Sequence, residues 1–415
     1  MNRIDIAGAL RSAIGDPPTA TAIAVYIYIA HILLQGKIAL SELAVAATLF
    51  AVGVALKRRE IRPSFHILYF PLALYGVIST VSAIANHATM HLFGESALWL
   101  KMAIFPAALI LFREVPRSRD LALRAQIVFA VAMAGYGIFQ YFVLQQRDLE
   151  HRITGPSTHV MTYSGMLLPV SLLIVVLAMR RRSVWLFACG AVVSFALLLT
   201  FTRSVWLGWI VALFAVLLLN RSMWIAFALP LLIFSITFMP EAMFGRLVSS
   251  FDVKQSSNLD RIRMAEAGIE MIKDHPVLGV GPANVKEIYP LYRKADAPRF
   301  RPPHLHNNII QLWAERGIVA VAAYLILLAL FLRECARGWR GPGREFAEAG
   351  VAITVGVAYA GLFEFNFGDT EVFLIMLELF ALVIASIEAA ADAPATNEQM
   401  FRLVPPASAA APAHP

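Results

Sequence analysis

The sequence predicts an all-α polytopic membrane protein, with about twelve transmembrane helices and one large loop on the non-cytoplasmic face. Three observations predict it. Of the 415 residues, 59% are hydrophobic and only 15% charged, and the mean hydropathy is +0.67, far from the balance of a soluble domain. Apolar runs of roughly 17 to 25 residues recur along the chain, each long enough to cross a hydrocarbon core of about 30 Å. Lysines and arginines gather in alternate short connections, as membrane topology requires. Lipid tolerates no open sheet edge, so the runs are read as helices.

The N-terminal "MNRIDIAGALRSAIGDPP" has no unbroken apolar core and no small-residue cleavage site, so the first span is read as a retained anchor. Spans are expected near 19–35, 39–56, 65–85, 96–112, 122–143, 159–179, 184–201, 204–219, 222–238, 310–332, 347–364 and 370–389. The basic loops "KRREIR", "REVPRSRD", "RRR" and "RECARGWRGPGR" all fall on one side of this map, and the positive-inside rule makes that side cytoplasmic, with both termini. The opposite loops, around 86–95 and 366–369, contain no Lys or Arg. The chain then divides into a bundle of about nine helices over 1–239, a large loop over 240–308, about three more helices over 309–390, and an Ala/Pro-rich tail, 391–415, whose composition predicts disorder. No internal repeat stands out, which disfavours a repeat-built transporter. Cys189 and Cys335 give neither a disulfide framework nor a zinc pattern. The formal charge of +7 reports topology before it reports nucleic acid, and an anionic lipid or anionic substrate is the expected partner.

Within the large loop, "RIRMAEAGIEMIKDHP" has helical period. Ile262, Ala265, Ile269 and Ile272 are expected to form the buried stripe, with Glu266, Glu270, Lys273 and Asp274 away from it. Pro276 and "GVGP" should end the helix. On that wheel Arg263 aligns with Glu266 and Glu270 and reads as a solvated ion-pair partner. Arg261 aligns with Ala265, Gly268 and Ile272, where a charge is costly without an anion beside it. It is either the anion-binding residue or half of an ion pair with Asp260 or Glu315.

After the loop comes "PPHLHNNIIQLWAERG". His304 and His306 are two apart, which on a helix would aim the rings about 200° apart, so this is not a helical zinc pair, and no metal is expected. Pro302 and Pro303 favour an extended approach, with His306 opening the turn into the next helix. A neutral imidazole there accepts a proton. Asn307 or Asn308 could equally cap the helix beside merely interfacial histidines. Arg203, in "TFTRSVWLGW", lies between two apolar runs and is either a functional intramembrane charge or a snorkelling anchor. Lys101 could bind the same anion or snorkel, and the snorkel is favoured. Arg147 reads as solvated; Arg152, before "TGP", stays open. Glu315, Glu364 and Glu371 sit near outer span ends, able to orient a histidine or pair with an arginine, with nothing to assign them individually.

Together, "TFTRS", "RITGPSTHVMTYSG", Arg261 with "MIKDHPVLGVGPAN", and "HLHNNIIQLWAERG", in that order, resemble the O-antigen ligase and polymerase superfamily of bacterial envelope glycan enzymes. The resemblance covers roughly residues 60–390. It departs at Met264 and Ala265, where relatives often carry an aromatic residue. It implies a GT-C-like membrane glycosyltransferase of the bacterial inner membrane with no cofactor. The enzyme would move a glycan from undecaprenyl pyrophosphate to an acceptor hydroxyl, lipid A–core for a ligase, on the periplasmic side. By the same resemblance His306 matches the essential histidine, Arg203 and Arg261 the essential arginines, and His304, Arg152 and Glu315 motif positions. Ligase is favoured over polymerase or a protein-glycosylating relative. A polytopic transporter is the reading from another class; it would explain the spans but not a long loop that delivers Arg261 beside His306.

Overall fold

The computed structural model describes residues 6–87, 92–148, 151–222, 255–392 and a few positions between 244 and 252. The expected span 222–238 and nearly all of the C-terminal tail lie outside the described residues. The described chain is helical: α1 (Ile6–Ala13), α2 (Thr19–Leu34), α3 (Ile38–Lys57), α4 (Tyr69–Ala85), α5 (Leu92–Met102), α6 (Ile104–Glu114), α7 (Pro116–Phe142), α8 (Val160–Arg181), α9 (Val184–Leu199), α10 (Arg203–Leu219), α11 (Ser256–Asp274), α12 (Val285–Tyr292), α13 (Asn308–Arg316), α14 (Ile318–Gly338), α15 (Arg344–Ala360) and α16 (Thr370–Asp392). Five of these, α3, α7, α8, α14 and α16, are long and apolar enough to cross a membrane, and α2, α4, α9 and α10 are shorter apolar helices. The protein is therefore a multi-pass helical membrane protein.

Its centre is α8 and α16, each 83% buried over its most apolar stretch. At about 1.5 Å per residue, α8 is roughly 33 Å long, a full hydrocarbon thickness. α15 packs against α8 and α10, α16 against α6, and α2 against α3. A polar network threads this apolar core. His31 Nε2 lies 2.6 Å from Glu378 Oε1, and the other Glu378 oxygen accepts from Gln126 Nε2 at 2.9 Å and from Gln35. The carboxylate thereby ties α2, α7 and α16 together where a lone charge would be expelled.

Two expected spans are broken. The run 96–112 is two helices, α5 and α6, parted at Ala103. Pro106 explains the break, because its ring would clash with the carbonyl four residues back, at Met102. The run 310–332 is α13 and α14, parted at Gly317, whose φ of 79° is left-handed. A Cβ there would lie 1.7 Å from the Val277 carbonyl oxygen.

The loop helix α11 carries a correction as well. Ile262 and Ile269, expected inside, are 39% and 45% exposed, and the buried residues are Asp260, Met264, Ala267, Gly268 and Met271. A Cβ on Gly268 would meet Ile310 at 2.5 Å and Leu305 at 2.7 Å. The small face of the helix is thus the one that lets α13 approach closely, and the bulky isoleucines turn outward. Met264, Ala267 and Met271 join Val280, Val285, Tyr289, Leu305 and Ala314 in a core of their own, separate from that of the bundle.

Candidate active site

The segment after α11 docks on the end of α13 by backbone pairing. Val280 N donates to Ala314 O at 2.8 Å, Gly281 N to Glu315 O at 2.9 Å, and Ile318 N to Pro276 O at 3.1 Å. Gly279, at φ 66°, faces Glu315 so closely that a Cβ would sit 2.4 Å from its carbonyl carbon. Ser82 of α4 donates to Leu278 O at 2.6 Å, adding the bundle to the clasp. "HPVLGVGPAN" is therefore a clasp that fixes the loop helix against the histidine helix.

The two asparagines fix the other side. Asn307 caps α13, its Oδ1 accepting from Ile310 N at 2.9 Å while its Nδ2 donates to Leu362 O. Asn308 N donates to Gly361 O at 2.7 Å, its Nδ2 to Asn366 Oδ1 at 2.7 Å, and its Oδ1 accepts from Phe367 N. The cap expected at Asn307 is thus present. The amides lash the turn to the 361–367 connection.

That connection carries Glu364. His306 Nδ1 lies 2.9 Å from Glu364 Oε2, and His304 Nε2 3.3 Å from Glu364 Oε1. The rings of the two histidines lie 4.3 Å apart. Although two positions apart, the two histidines face the same carboxylate. In an extended segment side chains two apart share a face, and His306 adopts a left-handed φ of 52° that turns its ring toward the carboxylate. Such a backbone costs about 1–3 kcal/mol and persists only where its surroundings hold it. Burial alone would raise the Glu364 carboxyl, but the His306 hydrogen bond and the charges of His306, His304 and Arg261 prevail and hold it at about 2. Burial pushes His304 down to about 4, against the pull of Glu364. With Glu364 ionised, His306 donates its Nδ1–H to it, and Nε2 is left as the basic atom.

Arg261 stands beside this cluster, close enough for its charge and that of Glu364 to act on one another. Its buried Nε has no hydrogen-bond partner among the described residues, and burial lowers the guanidinium from its ordinary value. Asp260, a possible partner from the sequence, is paired with Arg299 at 3.0 Å instead. Arg263 pairs with Glu266 at 2.7 Å and Asp296 at 2.6 Å. Arg203 is 8% exposed and donates to Ser249, Gln255, Ser257 and Asn258, gripping the start of α11. Glu315 accepts from Ala283 N at 3.0 Å and pairs with Arg316. Lys101 bonds Thr370 Oγ1 and pairs with Glu42, both at 2.9 Å. Arg152 lies on the strand-like bridge to Arg147.

Two cavities meet at His304. One, of about 250 Å³, is lined by His159, Thr162, His304, Glu364, Asn366 and Asp369 among others. The other, of about 430 Å³, includes Lys101, Lys286, Glu315, Arg316 and Phe367. Lys101 and Glu315 thus face the second cavity with His304. Glu364 as the partner of His306, and Thr162 and Asp369, joined at 2.5 Å, are not singled out by the sequence. The motif "RITGPSTHVMTYSG" does reach the first cavity through His159 and Thr162.

Fold and site define a multi-pass helical membrane protein with an ionisable cluster in a cavity at one end of its bundle. Residues 167–325 match the family model described as O-antigen ligase, which supports membership of that superfamily. The match takes in Arg203, Arg261, His304, His306 and Glu315 and leaves Lys101, Arg152 and Glu364 outside. No curated protein matches the chain significantly.

Proposed function

We propose that the protein is an O-antigen ligase, transferring a glycan from undecaprenyl pyrophosphate to a hydroxyl of lipid A–core on the periplasmic side by a metal-independent, inverting displacement. The observation that carries this reading is the meeting of a carboxylate-oriented histidine with a half-buried arginine whose buried Nε is unbonded among the described residues. His306 Nε2 takes the proton of the acceptor hydroxyl as its oxygen attacks the anomeric carbon, a role worth typically 10²–10⁴-fold. Glu364 fixes the tautomer and stabilises the imidazolium that forms. As the C–O bond to the lipid pyrophosphate breaks, charge grows on the leaving oxygens, and Arg261 offers its fork to them. Arg203 holds the N-terminal end of the helix that carries Arg261. His304 and Thr162 line the space for the sugars.

The sidedness has structural support. Arg113 pairs with Glu388, Arg181 with Glu345, and Arg119 with the Ala385 carbonyl, so these basic loops share one end of the bundle. α8, α15 and α16 run between that end and the histidine end. With the basic end cytoplasmic, the site faces the periplasm. Purified protein, a lipid-pyrophosphate glycan and lipid A–core should yield glycan on lipid A–core when read on a gel. Lengthened lipid-linked glycan instead would make the protein a polymerase.

A further inference from the structure

We propose that His304, His306 and Glu364 also form a binding site for a divalent transition-metal ion, zinc by its donors, and that the bound ion shuts the transfer off. The binding half stands on geometry. Two imidazoles and one carboxylate suit zinc. The atoms that face one another are His306 Nδ1 and His304 Nε2, 2.9 Å and 3.3 Å from the two Glu364 oxygens, and one ligand atom from each of the three residues lies within 4.8 Å of the others. Zinc bonds of about 2.0–2.2 Å in a tetrahedron set ligand atoms roughly 3.3 Å apart, within that spread. The 250 Å³ cavity touches both His304 and Glu364 and can supply water as the fourth ligand. The Arg261 charge beside Glu364 opposes a cation, so the affinity should fall below that of a structural zinc site.

The shut-off half rests on the reading of His306 as the base. A metal ion on Nδ1 needs the lone pair there, so the single N–H of the neutral ring moves to Nε2, with no net proton released. Nε2 then has no lone pair for the acceptor proton. Glu364 is drawn to the ion at the same time.

The test uses the full chain in detergent, purified on a tag free of histidine. Titrated with zinc, it should bind one ion per chain, and cobalt in its place should give the visible bands of a four-coordinate site. His304→Ala and His306→Asn should each weaken binding at least tenfold and lose those bands, with His304→Gln standing in where alanine fails to fold; Arg263→Ala should bind as the unaltered chain does. Saturating zinc should lower transfer at least tenfold, EDTA should restore it, and EDTA alone should change nothing. No stoichiometric binding, or binding that survives both histidine substitutions, would overturn the site. Zinc bound with transfer undiminished, or transfer that requires zinc, would overturn the shut-off and with it the base role of His306, while leaving the site itself standing.

Discussion

At the scale of single residues, Arg261 and Arg263 stand two positions apart on one helix and meet opposite surroundings. Arg263 is shared between two carboxylates at the surface, where exposed ion pairs contribute little. Arg261 is half-buried beside the Glu364 cluster, its buried Nε unbonded among the described residues, and a desolvated donor of this kind suits an anionic group. Arg261→Ala should therefore lower transfer by about 10²–10³-fold, the range for losing a donor to developing charge, in a protein that still inserts and folds. Arg261→Lys should restore little, since the two-pronged fork is lost. Arg263→Ala should cost less than tenfold. Transfer assays at matched protein levels check all three, and a dispensable Arg261 with an indispensable Arg263 would reverse the assignment. The helical wheel separates the two arginines by angle, although the stripe it marks as buried is not the one the fold buries. The partnership of His306 with Glu364 is not legible in the sequence. It spans 58 residues, and nothing in the spacing of "HLH" tells which of three outer carboxylates will arrive.

Elements are legible where their own composition decides them and illegible where a distant segment does. Hydropathy marks α7, α8 and α16 closely. The break at Ala103 has a local sign, Pro106, that an unbroken apolar run masks. The break at Gly317 has none, since a lone glycine within an apolar helical pattern is ordinary; its left-handed backbone is imposed by the strand-like clasp of residues 276–281. The buried stripe of α11 misleads for a related reason. Ile262 and Ile269 carry more apolar surface, but Gly268 and Ala267 allow the close approach to α13. Gly317→Ala should therefore be among the most damaging small substitutions. It combines a strained backbone, about 1–3 kcal/mol by itself, with overlap against the Val277 carbonyl. Thermal unfolding in detergent should show a clearly lowered melting temperature, and transfer should fall because the clasp aligns Arg261 with the histidines. A melting temperature and transfer rate equal to those of the parent chain would mean that the clasp does not hold the site.

For the whole molecule, the question is which side of the membrane the site faces. The basic loops and the histidines occupy opposite ends of α8, α15 and α16, and the alternation of charged connections along the sequence already implies that separation. The loop helix α11 and its separate core belong to the histidine end. A cysteine at Asn284, within the clasp, should react with a membrane-impermeant thiol reagent from the periplasm. Labelling from the cytoplasm alone would invert the topology and remove the proposed lipid-pyrophosphate donor from reach. The buried His31–Glu378 network, joining three helices through one carboxylate, is hidden in the sequence because its members lie in separate apolar runs.

If His306 moves the proton while Arg261 holds the leaving group, turnover and donor binding can be separated. Asparagine tolerates the left-handed backbone that His306 adopts, so His306→Asn keeps the turn and removes the base. Measured side by side on purified protein, donor affinity should match that of the parent chain while turnover falls by about 10²-fold or more. Turnover at the parental rate, with donor binding intact, would rule out His306 as the base.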